Sequence, residues 1–405
     1  MKVLFYTKEY PPNVYGGAGV HVEYLSRELS ALLDLEVRCF GNQAVNDHQL
    51  KVEGFINRFS GLANTPPELI PIFETLTTCI QMNSGTMDAD IVHCHTWYAQ
   101  FAGILSKLCY GTPLIITTHS LEPLRPWKRA QLGRGYDASS WIEKTAIEMA
   151  NRIIAVSSDT KQDILKHFNV AEDKIEVIYN GIDLEQYQVT TATDALDKYS
   201  VDKEIPFVLF VGRITQQKGI IHLVNAIEHL DENVQVVLCA GAPDTKAIAA
   251  EMEEAVKRVT AKRDNVIWIS EMLDKKDVIQ LYSAASVFCC PSIYEPFGII
   301  NVEAMACNTA VVASSVGGIK EVVVDGETGI LVQLAQDQQP PYEASNPQQF
   351  SLDLAMAINR LMRDKNLRER MATAGRKRVE EYFDWKSIAQ QTKNLYQKVL
   401  DNDKR

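Results

Sequence analysis

No stretch of this 405-residue chain stays apolar for the roughly 20 residues that a membrane-crossing helix requires. A signal-peptide core is missing too. Met1 and Lys2 run straight into the short strand "VLFY", so the expectation is a soluble cytoplasmic protein with no membrane partner. Positive charge is scarce, 41 basic against 52 acidic residues for a formal net charge of −11. That argues against a general binder of nucleic acid or anionic membrane, whose footprint must be basic. Any anionic ligand then has to be caught by a local cluster. The eight cysteines (Cys39, Cys79, Cys94, Cys109, Cys239, Cys289, Cys290 and Cys307) lack C-x-x-C pairs and zinc-type spacing, and are expected as reduced core residues. A complete G-x-G-x-x-G is also absent, since "GGAGVHV" has Val22 where the third glycine should stand.

What is present is an alternation of strand and helix, made twice. "KVLFYT", "EVRCF", "DIVHCH", "PLIITTH" and "RIIAVS" are short runs rich in β-branched residues, separated by helix-length stretches. Val22, Leu25, Leu29, Leu32 and Leu33 recur at helical steps and share one face. Residues 1–184 therefore predict one doubly wound parallel-sheet unit. After a polar linker, "PFVLFVG", "VQVVLCAG", "NVIWIS", "SVFCCP" and "AVVASS" restart the pattern and predict a second such domain over 205–384. With 46% hydrophobic residues, both can bury a core. Open parallel sheets bind ligands at the carboxyl ends of their strands, so two units facing a cleft would place a site between them.

Four groups of residues fall at those strand ends. Gly16, Gly17 and Gly19 precede a helix, whose free amides favour an anion or a close-approaching ligand; the plain alternative is a tight turn. In "FVGRITQQKG", Arg213 and Lys218 follow a strand, and a guanidinium fork with a lysine point charge suits a diphosphate, although loop cations are usually just solvated. In "YEPFGIINVEAMAC" a helix is expected from about Phe297, so the amides of Phe297, Gly298 and Ile299 could hold phosphate oxygens. Glu295 just outside that helix and Glu303 inside it could accept hydrogen bonds from sugar hydroxyls; taken alone, they read as a capping charge and a solvated helix residue. No cluster of further carboxylates or histidines completes a metal shell around them.

His119 ends the strand "PLIITTH" and opens "HSLEPLRPWKRAQLGRGY", with Arg125, Lys128, Arg129 and Arg134 against one acid, Glu122. That local excess of positive charge could hold a phosphate of a second substrate, or be a solvated loop. His93 and His95 share a face of their strand, which suits a metal only if a third ligand comes from elsewhere; a structural or acceptor-site role is the reading preferred. Asp88 and Asp90 read as a solvated loop.

These residues resemble the retaining nucleotide-sugar glycosyltransferases of family 4, which have the two-domain GT-B fold. The resemblance rests on "GGAG", His119, "NGID" at Asn180 to Asp183, "VGRITQQKG", and the spaced Glu295 and Glu303. "THSLEPLRPWK", "QLGRGY" and "SSWIEKTAIEMANRIIAVS" are similar to actinobacterial-type glycogen synthases, some of which make maltose-1-phosphate from ADP-glucose and glucose-1-phosphate. The resemblance implies that Arg213 and Lys218 neutralise the leaving diphosphate, that Glu295 holds donor-sugar hydroxyls, and that Glu303 holds the ribose. It implies further that His119 contacts the transferred glucose, that Gly17 and Gly19 approach the donor, and that Met272 and Leu273 lie near the base. Arg125, Lys128 and Tyr136 become acceptor candidates, and the last helix, 385–405, is assigned to the first domain. The expected partners are ADP-glucose or UDP-glucose and an α-glucan or glucose-1-phosphate; no metal and no resident cofactor are expected, because the nucleotide sugar is a substrate. Oligomeric state stays open, with a homodimer as the assembly considered. Three rivals remain: a dinucleotide-dependent oxidoreductase, a nucleotide-sugar epimerase, and a non-catalytic nucleotide binder.

Overall fold

The structure, a computed structural model, describes every residue except 15, 48, 59, 60, 63, 338–341, 404 and 405. They divide into two compact units, Met1–Gly181 with Trp385–Arg405, and Ile182–Asp384.

In the first unit, eight strands make one sheet: β1 (Lys2–Thr7), β2 (Asp34–Phe40), β3 (Ala44–Asn46), β4 (Leu50–Phe55), β5 (Ile91–His95), β6 (Leu114–Thr118), β7 (Arg152–Ala155) and β8 (Ile175–Val177). Their order is β3-β4-β2-β1-β5-β6-β7-β8, parallel throughout except for the β3–β4 pair. β1 and β6 are covered on both faces, which explains why they read as unbroken apolar runs. β3, β4 and β8 escaped the sequence reading for the opposite reason. β3 is wholly exposed, β4 is covered on one side only, and β8 has just three residues.

The helix Gly17–Ser30 packs Val22, Leu25 and Leu29 into a core with Val3, Phe5, Ile115 and Ile154; Leu33 is buried there too, while Leu32 lies at its margin. The helix Trp385–Asp403 enters the same core through Trp385, Ile388, Leu395 and Tyr396. Its first residue stacks on Tyr24, with ring centroids 6.1 Å apart.

The second unit holds six parallel strands: β9 (Phe207–Arg213), β10 (Gln235–Gly241), β11 (Val266–Ile269), β12 (Val287–Cys290), β13 (Ala310–Ser314) and β14 (Gly329–Val332), in the order β11-β10-β9-β12-β13-β14. β14 is a strand beyond the five expected; "GILV" sits directly behind the turn residues "DGET" and is too short to stand out. The side on which successive strands are added switches between β9 and β12 here, and between β1 and β5 in the first unit, while the strands themselves stay parallel. Those two switch points are where an open α/β sheet leaves a crevice at its carboxyl edge.

Seven cysteines are buried as expected, whereas Cys109 is exposed. Among the described residues, no helix is long and apolar enough to cross a membrane.

Candidate functional site

The switch point of the second unit is built by three loops that touch backbone to backbone. Gly219, with φ +58°, ends the turn after β9; a Cβ there would lie 2.2 Å from the carbonyl oxygen of Pro291, in the loop after β12. Ile293 donates its N–H to the Gln217 carbonyl at 2.9 Å, tying the same two loops. From the other side Gly317, φ +49°, follows β13 so closely that a Cβ would meet the Glu295 carbonyl oxygen at 2.0 Å. Only glycine allows these approaches without strain. Their consequence is that the side chains of Lys218 and Glu295, 77 residues apart, meet: Lys218 Nζ lies 2.6 Å from Glu295 Oε2, and the Ser292 hydroxyl donates to the same oxygen at 3.2 Å. Burial disfavours the ammonium, but the surrounding acidic groups, Glu295 foremost with Cys290 and Glu303, raise the lysine pKa overall. Arg213, at the end of β9, is paired with Asp244, which follows β10.

The helix expected from about Phe297 begins at Ile299 and runs to Ala306, with Gly298 as its cap at φ +94°. The amides of Ile299 and Ile300 open it and, as in any first turn, have no partner inside the helix. Phe297 is buried, its ring edge-on to Phe383 at 5.7 Å. Glu303 is not a solvated helix residue. Its two carboxylate oxygens accept hydrogen bonds from Tyr187 and Tyr282, each at 3.0 Å, and burial raises its pKa even though both hydroxyls oppose the shift. Met272 is 67% exposed and Leu273 half-buried, in the loop after β11.

His222, three residues past Gly219, carries the turn of Lys218: its N–H donates to the Gly219 carbonyl at 2.9 Å, and its ring meets Phe350. Burial lowers its pKa from 6.5 to about 4. Between those values the unfolded chain binds a proton that the folded chain does not, so stability falls as pH drops through that window. From pH 7 to pH 5 the loss due to this ring is about 2 kcal/mol. Over that range the stability of wild type should therefore fall by about 2 kcal/mol more than that of His222→Gln, read from urea midpoints; parallel pH dependence of the two proteins would refute the assignment.

In the first unit, His119 follows β6 and joins a buried cluster. His95 Nδ1 lies 3.2 Å from His119 Nε2, and the ring of His21, from the helix after β1, is 4.6 Å from that of His119. His93 has a separate role, bonding Tyr396 through Nδ1 at 2.6 Å and Thr117 through Nε2 at 2.7 Å; it ties the last helix to the sheet. Burial pushes the pKa of His93, His95 and His119 well below the usual value. Gly17 and Gly19 form the first turn of their helix, but the chain supplies its own anion there: the Gly16 N–H donates to Glu9 Oε2 at 2.9 Å. The Gly16 amide is therefore already taken by the carboxylate of Glu9. Asp90 accepts the Lys2 N–H at 2.8 Å and Asp88 meets Lys2 Nζ at 3.2 Å, fastening the start of β1.

The comparisons with known proteins agree with one another. Residues 15–186 match the family described as Glycosyltransferase Family 4, and residues 192–378 match Glycosyl transferases group 1. The chain is 45% identical over 406 residues to Alpha-maltose-1-phosphate synthase from Mycolicibacterium smegmatis, with 98% of this chain and 100% of that protein covered. It is 43% identical over 403 residues to the protein of the same name from Mycobacterium tuberculosis, with the same coverage. The chain belongs to the family 4 glycosyltransferases. Sucrose-phosphate synthase from Thermosynechococcus elongatus superposes with a TM-score of 0.81 at 23% identity, covering 99% of each chain, and the two sheets form the two-domain GT-B fold.

In this glycosyltransferase the basic segment after β6 is less free than its charge count predicts. Arg125 turns inward to Glu122, which is fully buried, at 2.5 Å. The buried Tyr136 donates its hydroxyl to the Glu122 carbonyl at 2.5 Å. Lys128 bonds Gln131 at 2.9 Å, and Asp137 pairs with Arg129 at 2.5 Å. Arg125 and Tyr136, the acceptor candidates implied by the resemblance, take part in the packing beneath the segment. Sequence reasoning missed Glu9, His21, Tyr187, Asp244 and Tyr282. Glu9 and Asp244 each left a usable signal, an acid just past a strand end.

Proposed function

We propose that this glycosyltransferase moves glucose, with retention of the α configuration, from ADP-glucose to glucose-1-phosphate, making an α-1,4 link and so maltose-1-phosphate; an α-glucan is the second acceptor considered. The observation that carries this reading is the full-length 45% identity to Alpha-maltose-1-phosphate synthase. The site geometry supports it in three ways. Lys218 and Arg213 are already fixed by Glu295 and Asp244, so the cations assigned to the departing diphosphate need little reorganisation. Glu295 receives Lys218 and Ser292 on Oε2, which leaves Oε1 for donor-sugar hydroxyls. Glu303, anchored by two tyrosines, has acceptor capacity left for ribose hydroxyls, and the opening amides of the helix Ile299–Ala306 suit phosphate oxygens.

In this reading, Met272 and Leu273 flank the base and His119 orients the transferred glucose. No carboxylate is placed as a nucleophile, so a covalent two-carboxylate route is set aside. The acceptor hydroxyl attacks from the face that the diphosphate leaves, through an oxocarbenium-like state, and its proton passes to the departing phosphate. The reaction needs neither a metal nor a resident cofactor. Incubating donor with and without glucose-1-phosphate tests this against the rivals: nucleoside diphosphate should accumulate only with acceptor present. Conversion of the donor alone to an epimer would support the epimerase instead.

A further inference from the structure

We propose that His21, His95 and His119 form a binding site for a divalent transition metal of the Zn2+ class. One ligand nitrogen from each of these residues lies within 4.8 Å of the other two. His95 Nδ1 and His119 Nε2 are 3.2 Å apart, close to the ~3.3 Å that separates two nitrogens bound tetrahedrally to one ion at ~2.0–2.1 Å. His21 is held from behind: its Nδ1 contacts Asn180 Oδ1 at 2.7 Å, which orients the ring and makes Nε2 the lone-pair nitrogen. That Nε2 is buried and has no hydrogen-bond partner among the described residues; His21 as a whole is only 2% exposed. A buried polar atom left unpaired needs a cause, and an ion is one of the few available. His93 tests the selection from within the fold, because both its nitrogens are satisfied and it falls outside the trio.

The donor set defines the ligand. Three imidazoles suit Zn2+ and its neighbours, whereas Mg2+ and Ca2+ demand oxygen. The hydrogen now shared between His95 and His119 moves to the outer nitrogen of its own ring when the ion enters, so all three ligands remain neutral. His119 is partly exposed and gives the ion a route in. Three protein ligands leave a fourth position for water. Binding rests on nothing in the proposed reaction. Its effect does: with its Nε2 committed to the ion, His119 is lost to the glucose, so the metal inhibits transfer.

The test is a titration of metal-free full-length protein with Co2+, followed by displacement with Zn2+. Because the exposed Cys109 could bind either ion, a Cys109→Ser background is used. We expect one Co2+ per chain with the visible bands of a four-coordinate ion bound by three nitrogens and one water oxygen. His21→Gln should weaken binding roughly 100-fold or more, and Asn180→Ala roughly 10–100-fold. Absence of such bands in wild-type protein under excess Co2+, or unchanged binding by folded His21→Gln, would overturn the site; the wild-type result depends on no variant folding. Zn2+ should also slow transfer, reversibly with chelator. Binding without inhibition would leave the metal site standing and remove His119 from the reaction, whereas inactivity of the chelated enzyme would contradict the proposed function alone.

Discussion

Replacing Lys218 by alanine should lower turnover roughly 10²–10³-fold, the usual cost of removing one preorganised donor from a site where charge develops. The magnitude follows from how the lysine is held. Its ammonium is fixed 2.6 Å from Glu295 by a turn that cannot slide, since Gly219 lies against Pro291 and Gln217 bonds Ile293. A cation fixed before the reaction gives its full effect in the transition state. The expected signature is a fall in kcat exceeding any change in KM for the donor. Loss of the ammonium also leaves Glu295 without its cation, so folding must be checked by circular dichroism. Lys218→Ala/Glu295→Gln removes both charges and should recover stability without recovering turnover. A folded Lys218→Ala enzyme turning over near the wild-type rate would remove Lys218 from the mechanism.

Arg125→Ala should destabilise the protein by about 3–5 kcal/mol, as breaking a buried ion pair from one side does. Glu122 is fully buried beneath the guanidinium. Beside it Glu143, itself buried, accepts the Glu122 N–H at 2.7 Å; burial and the neighbouring Glu122 hold its pKa well above the usual range, and Arg125 opposes them. Without the arginine two carboxyl groups face each other in a dry site. The urea midpoint should drop, and Arg125→Ala/Glu122→Gln should restore much of it. Should Arg125→Ala keep wild-type stability and lose only the use of a sugar phosphate, the residue would return to acceptor binding.

The contrast between these two arginine and lysine positions shows what could be read from the chain. Strands covered on both faces, such as β1, β6 and β10, announce themselves as apolar runs; β3 and β14, short or uncovered, do not. "RITQQKG" and "YEPFG" each stood out as strand-end motifs, yet their meeting is set by Gly219 and Gly317 pressing on backbones far along the chain. Periodicity carries no such information. Charge counts also fail on orientation. Arg125 and Arg129 look alike in sequence, but one faces a buried acid and the other an exposed one. His21 was invisible as a partner of His95 and His119 because it comes from a different strand–helix junction, and only the order β1-β5-β6 makes the three neighbours.

The most direct measurement offers ADP-glucose and UDP-glucose, each with glucose-1-phosphate or glycogen, to chelator-treated enzyme and identifies the products by mass and by anomeric coupling in NMR. The expected product is a phosphorylated α-linked disaccharide from ADP-glucose and glucose-1-phosphate. Extension of glycogen with no disaccharide phosphate from either donor would contradict it.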